Sequence, residues 1–259
     1  MSIREKLKVQ SPAEAVEFLN FMVYGEPGSG KTYLAATAQD SEDTKPILFL
    51  DVEGGVTTLR KRKDVDVVAV RSMDDVTRVH NDLFRDTSHY YKTVILDSLS
   101  ELQKLDMRTV MQAEKDKSPT PERVDVDAPT QRAWGISGEH VRRVVRAYRD
   151  LPCHTIMTAL VGTEFDTDEK GKEDKGHVKL YYPLFPGKLR GEIPGFFDVV
   201  GFLQADADRQ GNQTRTLQVA KTKRVVAKDR TASLGLIVKE PSIPMMWSMI
   251  HGEQVTNNT

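Results

Sequence analysis

Short runs of consecutive apolar residues alternate along the chain with segments whose apolar positions recur every three or four residues. That alternation predicts an α/β fold with a mainly parallel central sheet. Phe21–Tyr24, Ile47–Leu50, Val65–Val70, Thr93–Leu96 and Thr155–Leu160 read as strands. Their lack of polar alternation suits strands covered on both faces. Val199–Leu203 and Thr216–Ala220 read as late strands joined by the polar turn Asp206–Gln213, an antiparallel addition to the sheet.

The helical segments lie between these runs. Lys31–Ala38 is rich in Ala and Leu, and Ser72 with Asp75 three residues on marks the start of a helix that runs to about Phe84. Ser100–Lys115 places apolar residues at 102, 105, 107, 110 and 111, and Gln131–Arg149 carries Trp134, Val141, Val144, Val145 and Tyr148 on its apolar side. Lys117–Thr130, with three prolines and five charges, reads as a loop. The charged stretch Gly162–Lys179 reads as a β-hairpin or flexible excursion. Met245–Ile250 is a short apolar helix or docking segment, and Glu253–Thr259 is expected to fray. No repeat or linker-like break divides the chain, so one domain is expected. Residues 1–17 form an extension, 18–240 the core and 241–259 a tail.

Composition narrows the class. With 259 residues and 39% hydrophobic content the chain can bury one sizeable core. It contains no apolar run near the roughly 18 residues that cross a bilayer, and its first residues lack a signal-peptide core, so no membrane partner and a cytoplasmic setting are expected. The single cysteine, Cys153, excludes an internal disulfide and sits in an apolar run, where a small buried side chain fits. A net charge of −1 means that any nucleic-acid contact must come from a local patch.

One motif dominates. Gly25, Glu26, Pro27, Gly28, Ser29, Gly30, Lys31 and Thr32, with Tyr33 directly after, fit the P-loop pattern between an apolar strand and a helix. Glycines let backbone N–H groups converge on phosphate oxygens, and the helix N-terminus adds a favourable dipole. Lys31 then reaches the β- and γ-phosphates of a nucleoside triphosphate, and the Thr32 hydroxyl reaches Mg2+. Thr93–Asp97 has the form of a Walker B strand whose terminal aspartate holds the same ion. Many such ATPases place a glutamate after that aspartate, but position 98 is serine. Glu53, after the apolar strand Ile47–Leu50, is the preferred base to orient the attacking water. Glu101 is the alternative, and Asp51 supports the turn or the magnesium shell.

Phe49-Leu-Asp-Val-Glu-Gly-Gly55, Leu96-Asp-Ser-Leu-Ser100 and the P-loop together resemble the RecA/RadA-type recombinase ATPases. Motif order and length make the chain most similar to phage-encoded, RecA-like ATPases of the Sak type, associated with single-strand DNA annealing and recombination. The resemblance implies a three-layer αβα RecA-like fold, ATP as the nucleotide, single-stranded DNA as a partner and assembly into a homo-oligomer, ring or filament. It implies a host-cell cytoplasm as the setting. The departure is that no separate N-terminal DNA-binding or polymerisation domain is visible. That speaks against strand exchange and leaves ATPase and annealing roles open.

The same resemblance assigns further roles. Thr158 takes the place of the polar sensor of the γ-phosphate, and a plain strand threonine is the alternative. Lys117 and Arg123 in one loop, and Lys170, Lys172, Lys175 and Lys179 in the other, fall where the family's DNA-facing loops lie, although acidic neighbours dilute the second patch. Lys221, Lys223 and Arg224 stand where a basic pair reaches the neighbouring subunit's γ-phosphate; a basic surface turn is the alternative. Phe202-Leu-Gln-Ala205 matches a polymerisation pattern but falls inside a core strand, which makes the match accidental. Other P-loop motors, a helicase loader, a small-molecule kinase using Arg142, Arg143, Arg146 and Arg149, and a slow nucleotide switch remain as alternative classes. Asp97-Ser98 and Glu53-Gly-Gly55 count against an AAA+ assignment.

Overall fold

A computed structural model describes residues 3–7, 9, 18–167, 173–207 and 210–252. The strands are β1 (Asn20–Gly25), β2 (Ile47–Asp51), β3 (Asp66–Ala69), β4 (Thr93–Asp97), β5 (His154–Thr167), β6 (Glu173–Pro183), β7 (Val199–Ala207), β8 (Gln213–Gln218), β9 (Lys228–Asp229) and β10 (Ile237–Lys239). The main helices are α1 (Lys31–Ala36), α2 (Met73–Arg85), α3 (Leu99–Lys117), α4 (Gln131–Arg149) and α5 (Ile243–His251).

Among the described residues the sheet runs β10-β8-β7-β1-β5-β4-β2-β3, with β6 on β5 and β9 on β7. The six strands from β7 to β3 in that order are parallel, and β6, β8, β9 and β10 pair antiparallel. The strand period of two explains the layers. Met22 and Tyr24 of β1, with Leu48, Leu50, Val94 and Leu96, face α2, α3 and α4. Phe21 and Val23, with Ile47, Phe49 and Ile95, face α1 and α5. This is the three-layer αβα arrangement with late antiparallel strands that the sequence leads one to expect.

Local chemistry sets the element boundaries. Ser72, Ser98, Thr130 and Ser242 cap α2, α3, α4 and α5, each accepting a hydrogen bond from a backbone N–H three residues on. Because Ser98 is the cap, α3 starts at Leu99 rather than Ser100. The helix expected over Lys31–Ala38 is α-helical only to Ala36 and tightens into a 3-10 turn over Thr37–Asp40. Thr37 Oγ1 donates to Leu34 O at 2.6 Å and accepts the N–H of Ile243 at 2.9 Å, which ties α5 to this turn. The tail is therefore part of the fold as far as Gly252, with Ile243 and Met246 buried. The expected fraying of Glu253–Thr259 lies outside the described residues.

Three strands differ from expectation, β7 in continuing past Leu203 to Ala207, into the expected turn Asp206–Gln213. β5 does not stop at Leu160 but continues to Thr167, where it pairs with β6 as the hairpin anticipated for Gly162–Lys179. β8 covers Gln213–Gln218 rather than Thr216–Ala220, since Val219 and Ala220 leave β7 and donate instead to Leu236 O. Phe202 is buried on β7, stacked with Tyr24 and Tyr181, so the Phe-x-x-Ala stretch lies in the core. Cys153 is buried as well, and burial pushes its thiol up to about 12.

Candidate nucleotide site

Four parallel strands lie side by side, three of them ending at the site and β5 passing through it, and together they carry the candidate residues. β1 leads into the P-loop, β5 carries Thr158, β4 ends at Asp97, and β2 ends at Asp51 with Glu53 just beyond. Pairing sets Asp51 against Asp97 and Val23 against Thr158. The crevice beyond such strand ends is where open α/β sheets bind ligands.

The P-loop has the features of a phosphate cradle. Gly28 and Gly30 adopt φ of 79° and 98°, a left-handed conformation that favours glycine. No side chain caps α1 and no acidic residue occupies its first turn. The first helical N–H groups have no carbonyl behind them, so they are available to an anion. Ser29 Oγ is buried without a partner. Lys31 is buried, and its ammonium donates to Gly25 O at 3.1 Å and Glu26 O at 2.9 Å. Burial lowers the Lys31 pKa, while Glu53, Asp97 and Glu26 oppose the shift. Glu26, Pro27 and Tyr33 are exposed at the rim. An orphaned hydroxyl, an uncapped helix start and an enclosed cation fit a polyphosphate.

Asp97 is the junction of the site. Its side chain is 1% exposed, and Oδ2 accepts the Thr32 hydroxyl at 2.6 Å. Oδ1 accepts the hydroxyl of Thr158, which is fully buried in mid-strand rather than at a strand end. The backbone N–H groups of Val52 and Glu53 donate to Asp97 O at 2.8 and 3.3 Å, which holds the turn after β2 against β4. Within that turn Asp51 Oδ1 accepts the N–H groups of Gly54 and Gly55 at 2.9 and 3.0 Å. Asp51 thus supports the turn. Gly55 lies close enough to Thr32 that a Cβ there would be 3.9 Å from Oγ1. The Thr32 hydroxyl and the Asp97 carboxylate are hard oxygen donors that fit Mg2+, an ion that keeps water and phosphate oxygens in its remaining positions.

Glu53 lies within the fields of Asp97 and Lys31. Desolvation raises its pKa first and the charge of Asp97 next; Lys31 and a hydrogen bond from Ser98 lower it, while Glu101 raises it. Glu101 is paired with Lys104 at 2.5 Å on the first turn of α3.

The other predicted residues lie elsewhere. Lys221, Lys223 and Arg224 are exposed on a turn held against β6, where Tyr181 N donates to Arg224 O at 2.7 Å. They form no ion pair among the described residues. Lys117 and Arg123 are exposed, whereas Lys179 is paired with Glu164 at 2.8 Å. Lys170, Lys172 and the side chain of Lys175 lie outside the described residues. Arg142 is paired with Glu139 and Glu192, Arg143 with Glu139, and Arg149 with Asp150, while Arg146 and Arg149 lie over Phe196. These arginines are engaged on the surface of α4.

The profile of a protein family described as an AAA domain matches residues 17–231. The chain belongs to this AAA domain family. A search of curated proteins yields no match. Among solved structures, one described as the crystal structure of the RadB recombinase is similar at a TM-score of 0.44 and 15% identity, over 85% of this chain and 86% of that one. That likeness is too distant to bear on the site.

This AAA domain also has features that its motifs do not reveal. Trp134, expected on the apolar side of α4, is 41% exposed. It lines a cleft of about 790 Å³ with Lys104, Arg108, Tyr182 and Arg190. Arg190 stacks over Tyr182 at 4.5 Å. Helical spacing places Trp134 one turn before Ser137 and Gly138, which are buried, so the indole stands at the edge of the packed face. No helix among the described residues is long and apolar enough to cross a membrane.

Proposed function

We propose that this AAA domain binds ATP with Mg2+, hydrolyses it, and couples hydrolysis to the handling of single-stranded DNA in phage recombination, annealing or replication. The observation that carries the catalytic part is the convergence on Asp97 of Thr32 from the P-loop, Thr158 from β5 and the turn bearing Glu53.

The reading assigns each side chain a task. Lys31 leaves the Gly25 and Glu26 carbonyls and places its ammonium on the β- and γ-phosphates. Thr32 and Asp97 hold magnesium, which supplies charge neutralisation of the phosphate oxygens. Glu53 orients a water for in-line attack and accepts its proton; a carboxylate with a raised pKa is a better acceptor than an ordinary one. Thr158 reports on the state of Asp97 through their shared hydrogen bond. Lys221, Lys223 and Arg224, exposed and without ion pairs among the described residues, reach the γ-phosphate of a neighbouring copy in a homo-oligomer and stabilise developing charge. The setting is the cytoplasm of the host cell.

The DNA part is supported by the cleft between α3, α4 and β6. An exposed indole and a phenol suit base stacking, and Arg108 suits a backbone phosphate, whereas Arg190 is paired with Glu164 at 3.0 Å. Lys117 and Arg123 extend the basic surface. β5 carries both Thr158 and the hairpin that borders the cleft. Ser100 Oγ accepts Leu160 N–H at 3.0 Å and donates to Leu184 O at 3.4 Å, joining the start of α3 to both walls.

The test is ATP hydrolysis with and without single-stranded DNA. Stimulation by DNA, reduced in Trp134→Ala, is the expected result. Phosphate transfer to a nucleoside or nucleotide, with no effect of DNA, would overturn the reading.

A further inference from the structure

The P-loop is met on its other flank by a residue outside every motif. Register pairs Leu203 with both Gly25 and Leu217, and Ala205 with Arg215, so β8 carries Arg215 two residues beyond the end of β1. From there the side chain lies across Gly30. A Cβ at Gly30 would stand 2.6 Å from Arg215 Nε and 3.3 Å from its Cδ. Glycine is therefore required at position 30 by its φ of 98°, and the guanidinium packs directly against it.

The backbone of Arg215 is fixed from both sides. Its N–H donates to Glu240 Oε1 at 2.7 Å, and its carbonyl accepts Glu240 N–H at 2.8 Å. One Nη donates to Gln213 Oε1 at 2.9 Å. Among the described residues Nε, by contrast, is buried and has no acceptor, and no carboxylate forms an ion pair with Arg215. A buried charged donor without an acceptor is costly, and an anion removes that cost.

Position then selects the anion. Thr158, Asp97 and Glu53 approach the P-loop from β5, β4 and β2, which puts the γ-phosphate and the metal on that flank. Arg215 approaches from β7 and β8, on the opposite flank of β1. We infer that Arg215 binds in cis the phosphate chain of the nucleotide held by the P-loop, at its α/β end, through Nε and the Nη that Gln213 does not hold. This rests on the nucleotide-binding reading above. It gives the β7–β8 hairpin a direct contact with the nucleotide that persists after the γ-phosphate has left.

The test is equilibrium binding of a fluorescent ADP analogue to the full chain, with competition by ATP and ADP, and it needs no turnover. Arg215→Ala is expected to weaken ADP and ATP alike, by roughly 10- to 100-fold, the range of a charge-assisted hydrogen bond. Arg215→Lys recovers part of the loss, and Arg215→Gln, which keeps the polar stem, does not. Circular dichroism melts of the three variants separate a lost contact from a lost hairpin. Weaker ATP binding with ADP unchanged places the contact at the γ-phosphate and overturns the assignment. Unchanged affinity for both nucleotides makes Arg215 a packing residue and also overturns it. If the wild-type chain binds neither nucleotide, or Lys31→Ala binds as well as wild type, the nucleotide reading fails first.

Discussion

The two flanks of β1 hold opposite charges in opposite states. On the β5 side, Asp97 is buried with both carboxylate oxygens occupied by threonine hydroxyls, and Glu53 stands beside it. On the β7 side, Arg215 presents a buried donor with no acceptor among the described residues, while Lys221, Lys223 and Arg224, on the turn held against β6, are exposed without ion pairs among them. The acidic flank is satisfied within one chain, while these basic groups keep donors open among the described residues. In the proposed cycle the acidic flank makes and breaks bonds, and the basic flank grips the nucleotide within the subunit and across to its neighbour.

The largest expected effect breaks the acidic flank alone. Glu53→Gln keeps the shape and removes the proton acceptor, so turnover falls by about 10²- to 10⁴-fold while ATP affinity changes little. Single-turnover hydrolysis with a parallel binding titration measures both. If Glu53→Gln hydrolyses normally and Glu101→Gln does not, the base is on α3 and the division between the flanks is misplaced.

The P-loop, Asp97 and Glu53 were legible in the sequence because each is a local pattern, glycines before a lysine or a carboxylate at or just past the end of an apolar run. Thr158 came only from the family resemblance, and strand adjacency was needed to set Asp51 and Thr158 beside Asp97. The cluster Lys221, Lys223 and Arg224 was named through the resemblance, but Arg215 was not legible. It sits between the expected turn Asp206–Gln213 and the expected strand Thr216–Ala220, and only the register of β8 on β7 brings it over Gly30. Trp134 failed for a related reason. A stripe of apolar residues at helical spacing names a face, but the edge of that face borders a cleft formed by a segment 50 residues further on. The continuation of β5 past Leu160 was hidden because β6, its partner there, is strongly charged.

A smaller effect sharpens the basic flank. Subunits with Lys223→Ala lack a cation of the shared cluster, and subunits with Lys31→Ala lack the nucleotide grip. If the cluster acts on a neighbour, mixing the two inactive variants restores activity, because roughly a quarter of neighbour pairs combine an intact P-loop with an intact cluster. The measurement is ATPase rate against mixing ratio, with co-assembly verified by size. No recovery at any ratio, in mixed assemblies, confines the basic flank to Arg215.

The smallest effect concerns the other end of the strand that carries Thr158. His154 opens β5, and its Nδ1 accepts the N–H of Leu19 at 3.0 Å, which requires that nitrogen to be unprotonated. Burial, with help from His251 and Lys92, lowers its pKa to about 4, and Asp43 opposes the shift only weakly. The unfolded chain, with a histidine near 6.5, takes up a proton between those two values that the folded chain refuses. Stability from this group is therefore complete above pH 7, falls as pH drops from about 6.5, and is gone by about 4. Linkage gives a loss of about 2 kcal/mol between pH 7 and pH 5. His154→Asn, whose amide oxygen takes the place of Nδ1, should remove that slope in urea unfolding while other acid-labile groups contribute equally to both proteins. Parallel slopes would mean that His154 protonates in the folded state. The anchor between β5 and the segment entering β1 would then tolerate charge, and the stable seat assumed for the acidic flank would lie elsewhere.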